Sequence, residues 1–252
     1  MGDTIPPSTS SPAAATALPT TCQCLGDDDI TGSLFDVMVT ICVGKGDKTK
    51  EFQGHRGLLC HYSSYFKGAL EGGFKEAESR TVTLPEDDVE VFEIFFSWLY
   101  TRSLFKREHD NLSIPLSWSL LLQVHCFADM RGVPRLQNMS SDAIIDKVAN
   151  EWRFPHNRFA YIYANTPHKA PLRTLAVDMI IFTGILVEID CPLPCLTPDM
   201  LQDLVVAMQS LNENGTGWKW GRKTWKEINK CKYHVKSDGT PAFVPVKDGD
   251  KP

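Results

Sequence analysis

Cysteine and histidine side chains near the carboxyl end of the chain are residue types from which a metal centre can be built. Cys231 and His234 lie three residues apart, and Cys191 and Cys195 precede them as a possible second pair of ligands. This spacing matches no closed zinc pattern, which needs four ligands at suitable intervals. Cys22-Gln23-Cys24 is an isolated C-x-C motif that supplies two thiols, and no two further ligands lie nearby in the sequence. We therefore predict no metal ligands and no bound metal.

His55 is the candidate residue for acid–base catalysis. A catalytic histidine needs a nucleophile and an orienting acid within hydrogen-bond reach, and the sequence pairs His55 with neither. Gly44-x-Gly46 lacks the third glycine and the lysine of a phosphate-binding loop. The sequence contains no G-x-S-x-G motif, no H-E-x-x-H motif and no paired-carboxylate signature. The expectation is a protein without catalytic residues or cofactors, and not an enzyme.

Tryptophans interleaved with basic residues form another candidate site near the carboxyl end. They are Trp218, Trp220 and Trp225, among Lys219, Arg222, Lys223, Lys226, Lys230 and Lys232. Aromatic and basic side chains together can stack on and clamp single-stranded nucleic acid. The alternative is an arm that docks its tryptophans on the core and leaves its lysines in water. The net charge of −5 favours this alternative, because phosphate binding needs a basic surface.

The composition is that of an ordinary globular protein. The chain has 252 residues, of which 42% are hydrophobic, so it can bury a substantial core. The eight cysteines follow no disulfide framework. No positively charged leader precedes an apolar run, and the most apolar stretch, residues 175–189, is too short and too interrupted by charge to span a membrane. The sequence predicts a soluble intracellular protein of the cytoplasm or nucleus, without a membrane partner.

Strand and helix periodicities locate the elements of the first half. Apolar residues alternate from Val37 to Val43, a turn follows, and residues 50–53 form the partner strand with Phe52 facing inward. Residues 55–60 predict a short helix, Ser63 caps a second helix, and residues 80–84 predict a third strand.

A long apolar helix comes next. Asp87 as N-cap and Glu90 as its capping-box partner begin it, and apolar residues lie on almost every side, as in a helix that is buried or shared between surfaces. Two more helices are predicted over residues 116–130 and 134–148, the second with Pro134 in its first turn.

This order of elements resembles the BTB/POZ domain, a protein-interaction module, over residues 33–150. The likeness rests on three spaced motifs, namely Asp36–Val39, Phe52–Phe66 and Val91–Thr101. The motif residues we single out are Asp36, His55, Leu59, Ser63, Tyr65 and Phe66. It implies an α+β fold in which a small three-stranded sheet packs on a cluster of helices. It also implies that the protein forms a homodimer, that Asp36 lies near the dimer contact, and that His55 has a structural role at the start of the first helix.

Some BTB proteins link a cullin scaffold to a substrate of a ubiquitin ligase, through a hydrophobic-x-Glu motif. Val91-Phe92-Glu93 resembles that motif, so this helix is a candidate docking element for a cullin. The chain lacks the kelch repeats or MATH domain of familiar adaptors. One alternative is a scaffold for nuclear co-regulators. Such a scaffold would not recognise DNA sequences directly, because the chain lacks the ligand spacings of zinc fingers. The other is nucleic-acid binding through the tryptophan-rich segment.

Three further segments surround the BTB-like region. Residues 1–32 are rich in Pro, Ser, Thr and Ala and predict a disordered tail. Residues 151–236 predict an all-helical extension, with helices beginning near Pro171 and Thr197. This extension is similar to that of BTB-containing proteins of filamentous fungi. Residues 237–252 predict a polar, frayed tail.

Overall fold

The computed structural model describes residues 31–106, 113–154, 156–183, 196–213 and 221–242. One sheet of three strands lies in this part of the chain: β1 (Met38–Val43), β2 (Lys50–His55) and β3 (Thr81–Leu84), in the order β2-β1-β3. β1 is antiparallel to β2 and parallel to β3. The predicted alternation holds, since Val39, Ile41 and Val43 are buried, although Val37 precedes the strand and is exposed.

Three short helices connect β2 to β3, which lie on opposite sides of β1. They are α1 (Arg56–Tyr62), α2 (Ser64–Glu71) and α3 (Lys75–Ser79), of which α3 was not expected from the sequence. The Ser63 side chain accepts a hydrogen bond from the Phe66 backbone and so caps α2, as the sequence predicted. The sequence prediction of an α+β fold with a small three-stranded sheet is confirmed.

Helix α4 (Val89–Thr101) forms the centre of the core. Phe92, Phe95 and Trp98 on this helix are fully buried. The prediction of its N-cap was wrong by one residue, because Asp88 accepts hydrogen bonds from the Glu90 and Val91 backbones. α5 (Trp118–Met130) and α6 (Pro134–Glu151) follow and pack against each other.

The remaining helices continue this core. They are α7 (Phe159–Asn165), α8 (Pro171–Thr183), α9 (Pro198–Glu213) and α10 (Arg222–Lys226), followed by a 3-10 turn at Lys230–Tyr233. The sequence anticipated α8 and α9 but neither α7 nor α10. One contiguous apolar cluster contains residues from β1 as well as from α8 and α9.

Both ends of the chain were predicted to be tails. Residues 1–30 and 243–252 lie outside the described residues. The frayed tail was predicted to begin at residue 237, but residues 237–242 turn back, and Ala242 donates a backbone hydrogen bond to the His234 carbonyl. Among the helices of the described ranges, none has the length and apolar character that crossing a membrane requires.

Candidate interaction surface

Asp36 joins the start of the sheet to the first turn of α1. One carboxylate oxygen accepts the backbone N–H of Gly57 at 2.8 Å, and the other accepts two N–H groups of Arg56 at 3.2 Å. A carboxylate is favourable here because the first N–H groups of a helix lack partners within it. Gly57 is required, since a Cβ atom would lie 2.7 Å from the Leu34 carbonyl oxygen. Asp36 therefore holds the chain before β1 against α1.

His55 lies at the N-cap position of α1, as the resemblance implied. Its ring nitrogen Nδ1 is 3.0 Å from the Tyr100 hydroxyl, and its backbone N–H donates to the same oxygen at 3.1 Å. Its ring packs edge-on against Phe35, with 5.2 Å between the ring centroids. His55 therefore contacts α4 and the segment before β1 from the end of β2, and its structural role stays a prediction.

Four exposed apolar side chains surround these polar contacts. The exposed fractions are 51% for Phe35, 42% for Val37, 41% for Met38 and 39% for Tyr100. We call this group, with Asp36, His55 and Arg56, the Phe35 surface. Exposed apolar side chains beside polar groups are a composition that contact surfaces between proteins share.

Ser63, Leu59 and Phe66 have internal positions. All three are fully buried, and Ser63 donates its hydroxyl hydrogen to the Arg131 carbonyl at 2.5 Å. Tyr65 is half-buried beneath the Arg131 guanidinium, which lies 4.3 Å from the ring centroid. These predicted motif residues therefore join α2 to the turn between α5 and α6, and do not line the Phe35 surface.

The cullin motif predicted on α4 needs a correction. Val91 is 3% exposed and Phe92 is 0% exposed, so neither side chain can contact a partner in this fold. Glu93 does face solvent, and it forms an ion pair with Lys50 at 2.6 Å. The sequence could not separate these positions, because α4 is apolar on almost every side. The strongly exposed apolar side chain on the next helix is Met130, at 63%.

A buried ion pair lies at the start of α4. Asp87, which does not cap α4, is 2.5 Å from Arg131, with side-chain exposures of 6% and 13%. Burial raises the pKa of Asp87, and the Arg131 charge and hydrogen bond partly oppose that rise. The pair fixes the start of α4 to the turn after α5, which no local sequence pattern predicted.

His125 and Cys126 lie in the interior of the protein. His125 is 1% exposed, and its Nδ1 lies 3.1 Å from the Ser140 hydroxyl and 3.3 Å from the Ser141 hydroxyl. Burial lowers the pKa of His125 to about 4, and it raises the pKa of the Cys126 thiol to about 12. A substrate cannot reach this histidine, and the thiol stays protonated.

Several of the residues considered as metal ligands or as nucleic-acid contacts bond to other parts of the chain. His234 Nε2 lies 2.9 Å from Asp142, and the described ranges contain no group of three residues able to hold a metal. Cys22, Cys24, Cys191 and Cys195 lie outside the described residues.

Trp225 is fully buried and donates its indole N–H to the Ile145 carbonyl at 3.0 Å, so it cannot stack on a base. Lys230 pairs with Asp146 at 2.7 Å, and Lys232 pairs with Asp178 at 2.5 Å. Arg222 donates to backbone carbonyls at the end of α6. These contacts match the docked-arm alternative, although its lysines form ion pairs instead of remaining free in water. Trp218 and Trp220 lie outside the described residues.

Comparisons with known proteins agree with the fold. The family model of the BTB/POZ domain matches residues 31–132. Kelch-like protein 40b of Danio rerio is 32% identical over 102 residues, which make up 40% of this chain and 16% of that protein. The matched segment thus covers a small part of this relative. The predicted BTB/POZ resemblance is confirmed for these residues, whereas the likeness to fungal proteins with a helical extension stays a prediction.

Proposed function

We propose that the chain, whose residues 31–132 form a BTB/POZ domain, pairs with a second copy of itself through the Phe35 surface. The observation that supports this proposal is the exposure of Phe35, Val37 and Met38 beside a bonded ion pair at one end of β1. Water is expelled when such side chains meet a like surface across a two-fold axis. The Asp36–Arg56 pair keeps the two charges mutually neutralised at the edge of the contact.

The test measures the mass of the purified chain by light scattering during size-exclusion chromatography. We expect the mass of two chains at micromolar concentration, and the mass of one chain for the variant Met38→Lys, because burying an unpaired ammonium group opposes association. Met130→Lys makes the same change at another exposed site and should leave the mass unchanged. A parent protein with the mass of a single chain would contradict the proposal, as would a Met38→Lys variant with the mass of two.

We further propose that the pair recruits other proteins as a substrate adaptor of a cullin-based ubiquitin ligase. The BTB/POZ match and the alignment with a Kelch-like protein over a similar length support an interaction module of this class. The docking residues we assign are Glu93 on α4 and Met130 on α5, both of which are exposed. The helices after residue 151 are the part of the chain available for a substrate.

Calorimetric titration with a cullin amino-terminal domain tests this second proposal. We expect micromolar or tighter binding by the parent chain, and at least about tenfold weaker binding by Met130→Lys, since a desolvated charge in an apolar contact costs more than about 1.4 kcal/mol. Val205→Lys, on α9, is the matched control and should bind as the parent does. No heat of binding at high concentration would reject the adaptor role and leave a self-associating scaffold, as in the co-regulator alternative.

A further inference from the structure

A buried arginine of α8 lies against the beginning of α9. Arg173 is 6% exposed, and its Nε donates to the Thr166 hydroxyl at 3.2 Å. Its Nη2 donates to the Tyr163 carbonyl at 2.9 Å and to the Thr166 carbonyl at 2.5 Å. Its Nη1 is buried as well, but it has no hydrogen-bond partner among the residues that the structure describes. A buried N–H donor without an acceptor is unusual, so Nη1 marks a place where a further acceptor can bind.

This Nη1 group faces the first turn of α9. The Asp199 carboxylate, in that turn, approaches Nη1 to 3.6 Å, which is close enough for an ion pair but longer than a hydrogen bond. The Asp199 side chain is 69% exposed, so water can replace this contact at little cost. The first N–H groups of a helix lack partners within the helix and attract negative charge. Arg173 and the start of α9 together therefore suit an anion with more acceptor oxygens than a carboxylate has.

Thr197 places a hydroxyl group at the same end of α9. It immediately precedes the helix, it is half-buried, and its hydroxyl oxygen accepts the backbone N–H of Met200 at 3.3 Å. Pro198 follows it and is exposed. A threonine directly followed by proline is the sequence that proline-directed protein kinases modify. A phosphate at a helix N-terminus or opposite an arginine forms new charge-assisted hydrogen bonds, and Thr197 lies beside both.

The other threonines that precede a proline in the described residues lack this combination. Thr166 is 7% exposed, and its hydroxyl donates to the Ile162 carbonyl at 2.6 Å, so an enzyme cannot reach it in the folded chain. Thr240 is exposed, but its hydroxyl donates to the Asp238 carboxylate at 2.6 Å. A phosphate at Thr240 would lie beside a like charge, which is unfavourable.

We propose that Thr197 is a phosphorylation site, and that Arg173 and the first turn of α9 hold the phosphate. The Thr197 oxygen attacks the terminal phosphorus of a nucleoside triphosphate. The new P–O bond forms as the bond to the nucleoside diphosphate breaks, and the hydroxyl proton passes to a base of the kinase. The product carries a charge of about −1.5 to −2 at neutral pH. The phosphate displaces the Asp199 carboxylate from Arg173 and links the start of α9 to α8.

The first part of the test treats the folded full chain with a proline-directed serine/threonine kinase, ATP and Mg²⁺. Mass spectrometry of the digested product locates the phosphate, and we expect it on Thr197 and not on Thr166. Phosphorus NMR across pH 4–8 then measures the pKa of the phosphate, with Thr197→Val identifying the resonance that belongs to Thr197. The ordinary pKa is about 6. The positive groups should lower it by at least about half a unit in the folded chain relative to the same chain unfolded in urea.

Asp199→Asn is a second variant for the NMR measurement, and its exposed position makes it compatible with folding. It removes the carboxylate that competes for Arg173, so the pKa of the phosphate should fall further. A lowered pKa that returns to its ordinary value on unfolding supports the proposal. A chain that is modified at Thr197 only after unfolding, or not at all, overturns it. Equal pKa values in the folded and unfolded chains also overturn it, because Arg173 then does not hold the phosphate.

Discussion

Replacing Phe92 by alanine distinguishes a core residue from a docking residue. The Phe92 ring is fully buried and packs against Phe52, Phe95 and Phe127, with centroid separations of 4.8, 5.4 and 6.0 Å. Truncating a buried phenylalanine costs about 3–5 kcal/mol from lost transfer free energy and the cavity left behind. The aromatic contacts place Phe92→Ala toward the upper end of that range, since each contributes about 0.5–1.5 kcal/mol beyond area burial.

Urea unfolding followed by tryptophan fluorescence measures this change. A loss of 3–5 kcal/mol corresponds to a melting temperature lower by about 6–20 °C for a chain of this size. Glu93→Ala, at the adjacent exposed position, should change the free energy of unfolding by less than about 1 kcal/mol, because it breaks a solvent-exposed ion pair. A Phe92→Ala variant that keeps parental stability but fails to bind a cullin domain would refute the reasoning. It would show that Phe92 is a docking residue and not a core residue.

Three further substitutions test the contacts that hold the fold. Trp225→Ala should lose about 3–5 kcal/mol in thermal unfolding, while the exposed Lys226→Ala stays within about 0.5 kcal/mol. Ser63→Ala removes the α2 cap and the bond to the Arg131 carbonyl and should cost about 1–2 kcal/mol, against little change for the exposed Ser64→Ala. The folded pKa of His125, about 4, lies below its ordinary 6.5, so the stability linked to it is present above pH 6.5 and is lost as the pH falls toward 4. Unfolding of His125→Gln across pH 4–7 should lack this slope, and a slope equal to that of the parent would show that other groups cause it.

Local patterns were sufficient for most elements of the BTB/POZ region. The alternation around Ile41 and the cap at Ser63 are properties of a few adjacent residues, so the sequence displays them directly. Short helices without a strong apolar period were missed, as at Lys75–Ser79 and Phe159–Asn165, because tertiary packing stabilises them more than their own residues do. The cap of α4 was misplaced because Asp87 and Asp88 are equivalent until Arg131 engages one of them.

The exposure of each site residue could not be predicted from local sequence patterns. On α4, residues at nearly every angle are apolar, so periodicity gives no direction to Phe92 or Glu93. On α9, Leu201, Leu204 and Val205 all have helical spacing, yet Leu204 is buried whereas Leu201 and Val205 are exposed. The orientation of α9 depends on the hydrogen bond from the Tyr163 hydroxyl to Asp203, which lies 40 residues later in the chain.

The sequence by itself determined the three strands, most of the longer helices and the absence of a recognisable catalytic motif, because these depend on residue type and short-range spacing. The α+β fold class followed from the resemblance to the BTB/POZ domain. The tertiary structure alone decided which side chains remain at the surface. It buried Val91, Phe92 and Trp225 and left Phe35, Met38 and Val205 exposed. The physical reason is that exposure depends on what packs against a residue, and for these residues the packing partners lie far away in the sequence.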